Sequence, residues 1–267
     1  MIKKTQTKYV IIICRLDSNR LKKKALRKYR NKSIIEYLIN NILSTKEIES
    51  KNIIISTSFN KTDDELVNIA KKLNVKIFRG SKKNIINRIF KTYKKFKIPS
   101  AIITSADNPI FLTEVYKKIK FLNNYSVKYI TNLPVGLNLL NCNFKAILKI
   151  NSHNLTSNNE NGFYLYFTNT NLFKKKLINF KFGKIWKNTR FTIDYLQDFL
   201  FFKELIRLVK KEKLELNFKN IEKTLKENRS IKKLNIKQQD MYKTNLKINT
   251  NIYYLNNKNK KTSLPYV

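Results

Sequence analysis

The chain has 267 residues, of which 42% are hydrophobic and 12% aromatic, enough for a packed core and too many for a largely disordered protein. No apolar run reaches the ~18–20 residues of a membrane span, and the run 9–14 is too short for a signal-peptide core, so we expect a cytoplasmic protein with no membrane segment. The net charge of +38 would suit nucleic-acid binding, but the lysines are scattered rather than gathered in one stripe, so nucleic acid is not the favoured partner.

The first half of the chain alternates strand-like and helix-like segments. Continuous β-branched runs predict strands buried on both faces, and apolar residues at helical spacing predict the helices between them. Thr62, with Glu65 three residues later, has the spacing of a capping box at a helix start. In chain order the predicted strands are 9–14, 52–57, 75–78, 101–104 and 129–131, and the predicted helices are 33–43, 62–73, 84–96 and 112–122.

The second half has a weaker pattern. Segments 163–168 and 191–193 are strand-like, and 197–210 and 218–228 predict helices. From Tyr242 onward, asparagine and lysine dominate and apolar anchors are few, which predicts a loose tail. We therefore divide the chain into one domain at 1–240 and a polar, basic C-terminal tail at 241–267.

Strands that alternate with helices of this length predict βαβ units, and hence an α/β fold with a mostly parallel sheet and helices on both faces. Ligands of such sheets bind beyond the carboxyl ends of the strands. The segments that follow the first four predicted strands lie at 15–24, 58–63, 79–83 and 105–109, so the chemistry is expected there.

The loop after the first strand is basic and carries Arg15, Ser18, Arg20 and Lys24. Guanidinium and ammonium groups neutralise phosphate oxygens, and a hydroxyl group can bond them, so this loop could hold a triphosphate. A solvated basic loop is the alternative in a chain so rich in lysine. The glycine-rich pattern of a P-loop is absent from the sequence.

Two aspartates follow strand-like segments: Asp107 comes after 101–104, and Asp194 comes after 191–193. Each could hold Mg²⁺, which takes one or two protein carboxylates together with phosphate oxygens and water. Each could equally cap a helix or form a turn. The lone histidine weakens a Ser-His-Asp scheme, and Cys14 and Cys142 form no CxxC pair, so a zinc site is not expected and both thiols are interpreted as buried.

Six blocks of the sequence, in their order along the chain, resemble the cytidylyltransferase family that includes SpsF-like spore-coat polysaccharide proteins, acylneuraminate cytidylyltransferases and KDO (3-deoxy-manno-octulosonate) cytidylyltransferases. Any one block is weak, but six in the family order are specific, and together they span about residues 8–240. The blocks are CRLDSNRLKKKAL at 14–26, STS at 56–58 with DD at 63–64, FRGSKKNIINR at 78–88, SADNP at 105–109, PVGLN at 134–138 and RFTIDYLQD at 190–198.

The resemblance implies a GT-A-like (Rossmann-like) three-layer fold. It also implies an enzyme that transfers CMP from CTP to an acidic or related sugar for surface polysaccharide synthesis and releases pyrophosphate. Relatives commonly pair, which is compatible with a homodimer. Carried onto matching positions, the resemblance assigns the triphosphate to Arg15, Ser18, Arg20 and Lys24, Mg²⁺ to Asp107 and Asp194, and the surroundings of the base to Ser58, Arg79 and Ser81.

The sequence also departs from the family pattern. A relative that keeps the fold without activity therefore stays an alternative. A sugar transferase of the same fold is another, although no D-x-D motif follows a predicted strand, and a nucleic-acid-binding protein is the alternative that the charge suggests. The acceptor sugar is not given by the sequence. The departures are Lys22-Lys23 for the family's Pro-Gly, Ala106 for Gly, Asn138 for Asp, and Asn161 within a reduced Glu-His segment.

Overall fold

A seven-stranded sheet forms the centre of the computed structural model, which describes residues 6–160, 162–249 and 252–264. In chain order the strands are β1 (Tyr9–Ile13), β2 (Lys28–Tyr29), β3 (Lys32–Ser33), β4 (Ile53–Ser58), β5 (Lys76–Gly80), β6 (Ser100–Ser105), β7 (Val127–Ile130), β8 (Leu140–Asn143), β9 (Lys175–Ile178), β10 (Tyr253–Leu255) and β11 (Lys261–Ser263).

The order across the central sheet is β5-β4-β1-β6-β8-β7-β9. Strand β8 runs antiparallel to β6 and β7, while the other neighbouring pairs are parallel. The predicted mostly parallel sheet is therefore confirmed. Strands β2 with β3 and β10 with β11 form two separate antiparallel pairs. The carboxyl ends of β1, β4, β5 and β6 lie along one edge of the sheet, and the basic loop leaves β1 at that edge.

Helices cover both faces of the sheet, as the crossover pattern predicted. Alternate residues of the central strand point to opposite faces: Val10 and Ile12 belong to one buried cluster, Ile11 and Ile13 to the other. The first cluster packs under α1, α2, α4, α7 and α8, and the second under α3, α5 and α6. The helices are α1 (Ile34–Leu43), α2 (Asp64–Lys72), α3 (Ile85–Lys95), α4 (Thr113–Ile119), α5 (Phe144–His153), α6 (Leu165–Thr168), α7 (Leu196–Lys211), α8 (Phe218–Glu227) and α9 (Ile236–Asn249).

Two strand predictions in the second half are wrong. Segment 163–168 ends in the short helix α6, because Tyr166 and Phe167 bury their rings completely against the sheet, and this packing overrides the strand preference of aromatic residues. Segment 191–193 belongs to no strand of the structure. The backbone N–H groups of Phe191 and Ile193 donate instead to the carbonyl oxygens of Val135 and Asp107.

The prediction of a loose tail is wrong for the described C-terminal residues. Helix α9 continues to Asn249, and β10 and β11 form a hairpin in which Ile252, Tyr254 and Leu264 are buried in the same cluster as α3 and α5. These three apolar residues anchor a segment whose average composition is polar. The boundary proposed at residue 240 stays a prediction.

The predicted capping box at Thr62 is also wrong. A 3-10 turn covers Lys61–Asp63, and α2 begins after Asp63. The carboxylate of Asp63 turns inward instead, where it accepts hydrogen bonds from the backbone N–H of Leu16 and the hydroxyl of Thr57. No helix in the described part of the chain combines the length and the apolar character needed to cross a membrane.

Candidate active site

Lys24 brings the two predicted metal-binding aspartates together. Its ammonium nitrogen Nζ donates to Oδ2 of Asp107 at 2.5 Å and to Oδ1 of Asp194 at 2.8 Å. Because one nitrogen contacts both side chains, Oδ2 of Asp107 and Oδ1 of Asp194 lie close to each other. The Lys24 side chain is 13% exposed, Asp107 19% and Asp194 3%, so the group is largely shielded from solvent and Asp107 is its most exposed member.

Asp194 is held by two more cations. Nη2 of Arg20 donates to the oxygen that Lys24 also contacts, at 2.7 Å, and Nη2 of Arg190 donates to the other carboxylate oxygen at 2.5 Å. Arg190 also reaches Oδ1 of Asp198 through Nε at 3.2 Å. Three cations and three carboxylates thus form one network, which we call the aspartate centre: Lys24, Arg20 and Arg190 with Asp107, Asp194 and Asp198.

The charges of this centre fix its protonation. Burial alone would raise the pKa of Asp194, but the nearby Lys24, Arg20 and Arg190 hold that pKa well below its usual range. Burial alone would lower the pKa of Lys24, but the charges of Asp107 and Asp194 raise it well above its usual range. Asp194 is therefore a carboxylate and Lys24 an ammonium at neutral pH.

Backbone hydrogen bonds explain how three distant segments meet here. Ile193 N donates to Asp107 O at 2.8 Å, which ties the loop after β6 to the residue before Asp194. Phe191 N donates to Val135 O at 2.7 Å, next to a tight turn at Gly136. A Cβ atom on Gly136 would lie 2.1 Å from Thr192 N, and its φ is +97°, so only glycine fits this close approach.

Hydrogen bonds at the start of α7 fix the backbone at Asp194. Oδ2 of Asp198 accepts from the backbone N–H groups of Asp194 and Tyr195, both at 3.0 Å, at the amino end of that helix. Asn235 donates its Nδ2 to Oδ1 of Asp198 and to the carbonyl of Arg190. Asp198 is thus a buried cap that orients its neighbour. Its position four residues after Asp194 and eight after Arg190 was visible in the sequence, although no role was assigned to it.

Arg15 lies in the same loop as Lys24 but has different partners. Its guanidinium donates through Nη1 and Nη2 to the two oxygens of Glu160, at 2.6 and 3.0 Å, and its Nε lies 3.5 Å from Asp17. Lys82, from the loop after β5, also pairs with Asp17. Ser18 is half-buried in this loop. The departure at Asn161 lies outside the described residues.

The three residues assigned to the surroundings of the base lie at the ends of β4 and β5, apart from the aspartate centre. Ser58 is fully buried and donates its hydroxyl to Asp63. Arg79 spans this loop by donating to the carbonyl oxygens of Ser58 and Asn60. The hydroxyl of Ser81 accepts from Asn84 N at the start of α3. In the structure all three stabilise loops, and their contact with a base stays a prediction.

The donor set of the aspartate centre suits a hard divalent cation. Asp107 and Asp194 offer carboxylate oxygens to one shared cation, and an ammonium group already lies between them. Within the described ranges, three or more His, Cys, Asp or Glu side chains do not gather at any metal-sized site. Such a pair fits Mg²⁺, which keeps several waters and binds through one or two carboxylates plus phosphate oxygens. It does not suit zinc, which needs three or four protein ligands.

A model of the family described as cytidylyltransferase matches residues 9–248. The chain belongs to the cytidylyltransferase family. It is therefore a nucleotidyltransferase, and the resemblance drawn from the six sequence blocks is confirmed.

Curated relatives of this cytidylyltransferase come from an archaeon and a bacterium. The uncharacterized protein MJ1063 of Methanocaldococcus jannaschii is 30% identical over 200 residues, which cover 73% of this chain and 81% of that protein. The spore coat polysaccharide biosynthesis protein SpsF of Bacillus subtilis is 31% identical over 133 residues, 48% of this chain and 55% of SpsF.

Solved structures share the fold. A cytidylyltransferase from Leptospira borgpetersenii superposes with a TM-score of 0.72 at 22% identity and covers 84% of this chain and 96% of its own. The CMP:2-keto-3-deoxy-manno-octonic acid synthetase solved in complex with CTP has a TM-score of 0.53 at 12% identity, with coverages of 78% and 100%. The predicted Rossmann-like three-layer class is therefore confirmed for this cytidylyltransferase.

Proposed function

We propose that this protein transfers CMP from CTP to an acidic or related sugar and releases pyrophosphate, as a step in the synthesis of a surface polysaccharide. The observation that carries the proposal is the aspartate centre, where Lys24 and Arg20 of the loop after β1 meet Asp107 and Asp194. Support for the substrates comes from relatives: one takes part in spore coat polysaccharide synthesis, and a structural neighbour was solved with CTP.

In the proposed reaction, a hydroxyl oxygen of the acceptor sugar forms a bond to the α-phosphorus of CTP. The bond from that phosphorus to the oxygen bridging it to the β-phosphorus breaks, the hydroxyl proton passes to solvent or a base, and pyrophosphate leaves. Positioning and charge neutralisation lower the barrier of such a transfer. Arg15, Arg20 and Lys24 would supply the positive charge that stabilises the departing pyrophosphate, and Ser18 a further hydrogen bond.

Asp107 and Asp194 would hold Mg²⁺. When bound, this cation would supply positive charge that neutralises phosphate oxygens. The protein's own contribution is to fix both carboxylates: Asp107 through its backbone link to Ile193, and Asp194 through Arg190.

A cavity of about 690 Å³ beside the centre is our candidate for the acceptor site. It lies beyond the carboxyl ends of β7 and β9, and its lining includes Pro134, Phe180, Lys181, Phe182, Lys184 and Gln239. Gln239 accepts from Nη1 of Arg190, so this wall is linked to Asp194 through the guanidinium of Arg190. The aromatic rings provide flat surfaces for a sugar, and the lysine ammonium groups suit a carboxylate.

The proposal is tested by pyrophosphate release from CTP with Mg²⁺ against a panel of 2-keto-3-deoxy sugars. We expect turnover with at least one sugar, and a fall of ~10²-fold or more in kcat for Asp107→Asn, because an aligned cation contributes several kcal/mol. Glu204→Gln, which removes a carboxylate on the outer side of α7 where it pairs with Arg207, is the matched control and should leave the rate unchanged.

CTP binding is measured in parallel by calorimetry. Absence of both binding and turnover would contradict the proposal. Binding of CTP without turnover on any acceptor would favour the non-catalytic relative, and transfer from a nucleotide-sugar instead of CTP would favour the sugar transferase of the same fold.

A further inference from the structure

We infer that the Lys24 ammonium, which lies between Asp107 and Asp194, competes with a divalent metal for this position, so that the metal enters only together with the nucleotide. This inference rests on the proposed function, since it concerns the form in which that substrate binds. It makes the metal–nucleotide complex, rather than the free metal, the ligand of this site.

The first argument is geometric. One ammonium nitrogen lies within hydrogen-bond distance of an oxygen from each aspartate, 2.5 and 2.8 Å away, and the lysine side chain is mostly buried there. A divalent cation shared by Asp107 and Asp194 would need these same oxygens at shorter distances. The ammonium and the metal therefore cannot occupy the position at once.

The second argument is charge balance. Within the aspartate centre, the three carboxylates already face three cations. A bare divalent cation would add positive charge to a balanced, largely buried group, which is unfavourable at low effective dielectric. A metal–triphosphate complex carries net negative charge, and its phosphate oxygens give the displaced ammonium of Lys24 a new partner.

The third argument is the number of ligands. The described residues supply two carboxylates at this position and no larger cluster. A hard cation of six-fold coordination would have to complete its shell with water or phosphate oxygens. A triphosphate brings those oxygens, so binding as a complex is favoured over binding of the metal alone.

Lys24 is able to move between these partners without a change in the fold. Its backbone lies at the start of a 3-10 turn, Lys24–Leu26, closed by a hydrogen bond from Leu26 N to Lys23 O at 2.8 Å. The four-carbon stem of a lysine has rotatable bonds enough to swing the ammonium from a carboxylate to a nearby phosphate. Arg20, which keeps its bond to Asp194, would hold that aspartate in place during the exchange.

Mn²⁺, which takes the same oxygen ligands as Mg²⁺ and is visible by electron paramagnetic resonance, is the probe. Titrated into the full chain without nucleotide, it should bind wild type weakly and Lys24→Met at least ~10-fold more tightly, because the variant leaves two carboxylates without their shared ammonium. Lys23→Met removes the neighbouring exposed ammonium, which pairs with Glu65 outside the centre, and should behave as wild type.

A second titration includes a CTP analogue that cannot release pyrophosphate. The analogue should tighten Mn²⁺ binding to wild type by a larger factor than binding to Lys24→Met. Lys24→Gln, which keeps a polar hydrogen-bond donor but no charge, guards against misfolding of the methionine variant and should also bind free Mn²⁺ more tightly than wild type.

The inference is overturned if Lys24→Met and Lys24→Gln bind free Mn²⁺ no more tightly than Lys23→Met, or if wild type binds the analogue but its affinity for Mn²⁺ is the same with and without it. Failure of the proposed function has a different signature. In that case wild type would not bind the analogue at all, while the effect of Lys24 on free Mn²⁺ would still be measurable.

Discussion

The guanidinium of Arg190 is fully buried and has a partner at each nitrogen: Nε donates to Asp198, Nη2 to Asp194 and Nη1 to Gln239. The ring of Tyr242 lies 4.5 Å from its central carbon. A buried charge is stable only when it is paired in this way. Arg190 therefore gives Asp194 a structural role, because removal of the carboxylate would leave a buried cation short of a partner.

We predict that Asp194→Asn destabilises the protein by about 3–5 kcal/mol near neutral pH, the range seen when one member of a buried ion pair is removed. Urea denaturation would measure the loss. Asp64→Asn is the control, since that aspartate pairs with Arg79 at an exposed position and should change stability by at most about 1 kcal/mol. Equal stability of the two variants would contradict the proposed burial of the network.

The contribution of the Arg190–Asp194 ion pair to the free energy of unfolding depends on pH. The pKa of Asp194 in the fold lies below the ordinary value of 3.8, so its stabilising contribution is present above that value and is lost as the pH falls through the folded pKa. The stability gap between wild type and Asp194→Asn should therefore stay constant from about pH 8 to about pH 5 and narrow below about pH 4.

Sequence reasoning selected Asp107, Asp194 and Lys24, and the structure brings these three into contact. It assigned no role to Arg190 or Asp198, although both stand in the same sequence block. The partners of an arginine depend on which side chains the fold places around it, and spacing along the chain does not contain that information. Ser58 was assigned to the surroundings of the base. In the structure its hydroxyl donates to the buried carboxylate of Asp63, and its contact with a base stays a prediction.

Among the elements, those with a strong local pattern were predicted well. Strands β1, β4 and β6 lie within one or two residues of the prediction, since continuous β-branched runs in the centre of a sheet leave few alternatives. Strands β8 and β9 were missed. Their sequences, LNCN and KKLI, are short and polar, and they are strands because neighbouring strands offer them hydrogen bonds.

The turn at Gly136 packs against Phe191 and Thr192 and so positions the segment that leads to Asp194. We predict that Gly136→Ala impairs both stability and activity. The backbone conformation alone should cost about 1–3 kcal/mol, and the added Cβ would collide with Thr192 N. Urea denaturation and pyrophosphate release from CTP measure the two effects. Gly183→Ala is the matched control for stability alone: its φ is negative, and the nearest atom to a new Cβ is a carboxylate oxygen of Glu222 at 3.3 Å. Indistinguishable behaviour of the two variants would contradict this role of the turn.

At the scale of the molecule, the sheet explains why a few loops come together at the candidate site. Parallel strands β1, β4, β5 and β6 end at one edge, so the loops after them meet although they are distant in sequence. The segment 190–198 joins that edge from a part of the chain with no strand of its own. The parallel half of the sheet could be predicted from the hydrophobic periodicity of the sequence. The segment 190–198 could not, because it is held by backbone hydrogen bonds to two loops, and periodicity contains no information about such bonds.

The large positive charge belongs to the whole molecule. With 56 basic and 18 acidic residues, most lysines have no acidic partner available, so repulsion among them opposes the compact state. Salt shortens the range of that repulsion, from a screening length of about 10 Å at ~0.1 M to about 3 Å at ~1 M.

Raising NaCl from about 0.05 M to about 0.5 M should therefore increase the melting temperature by several degrees, an effect of about 1 kcal/mol or more. KCl at equal ionic strength should give the same shift, since screening depends on ionic strength rather than on the identity of the cation. A melting temperature that falls with salt would mean that the ion pairs of the aspartate centre and the surface outweigh the repulsion among unpaired lysines.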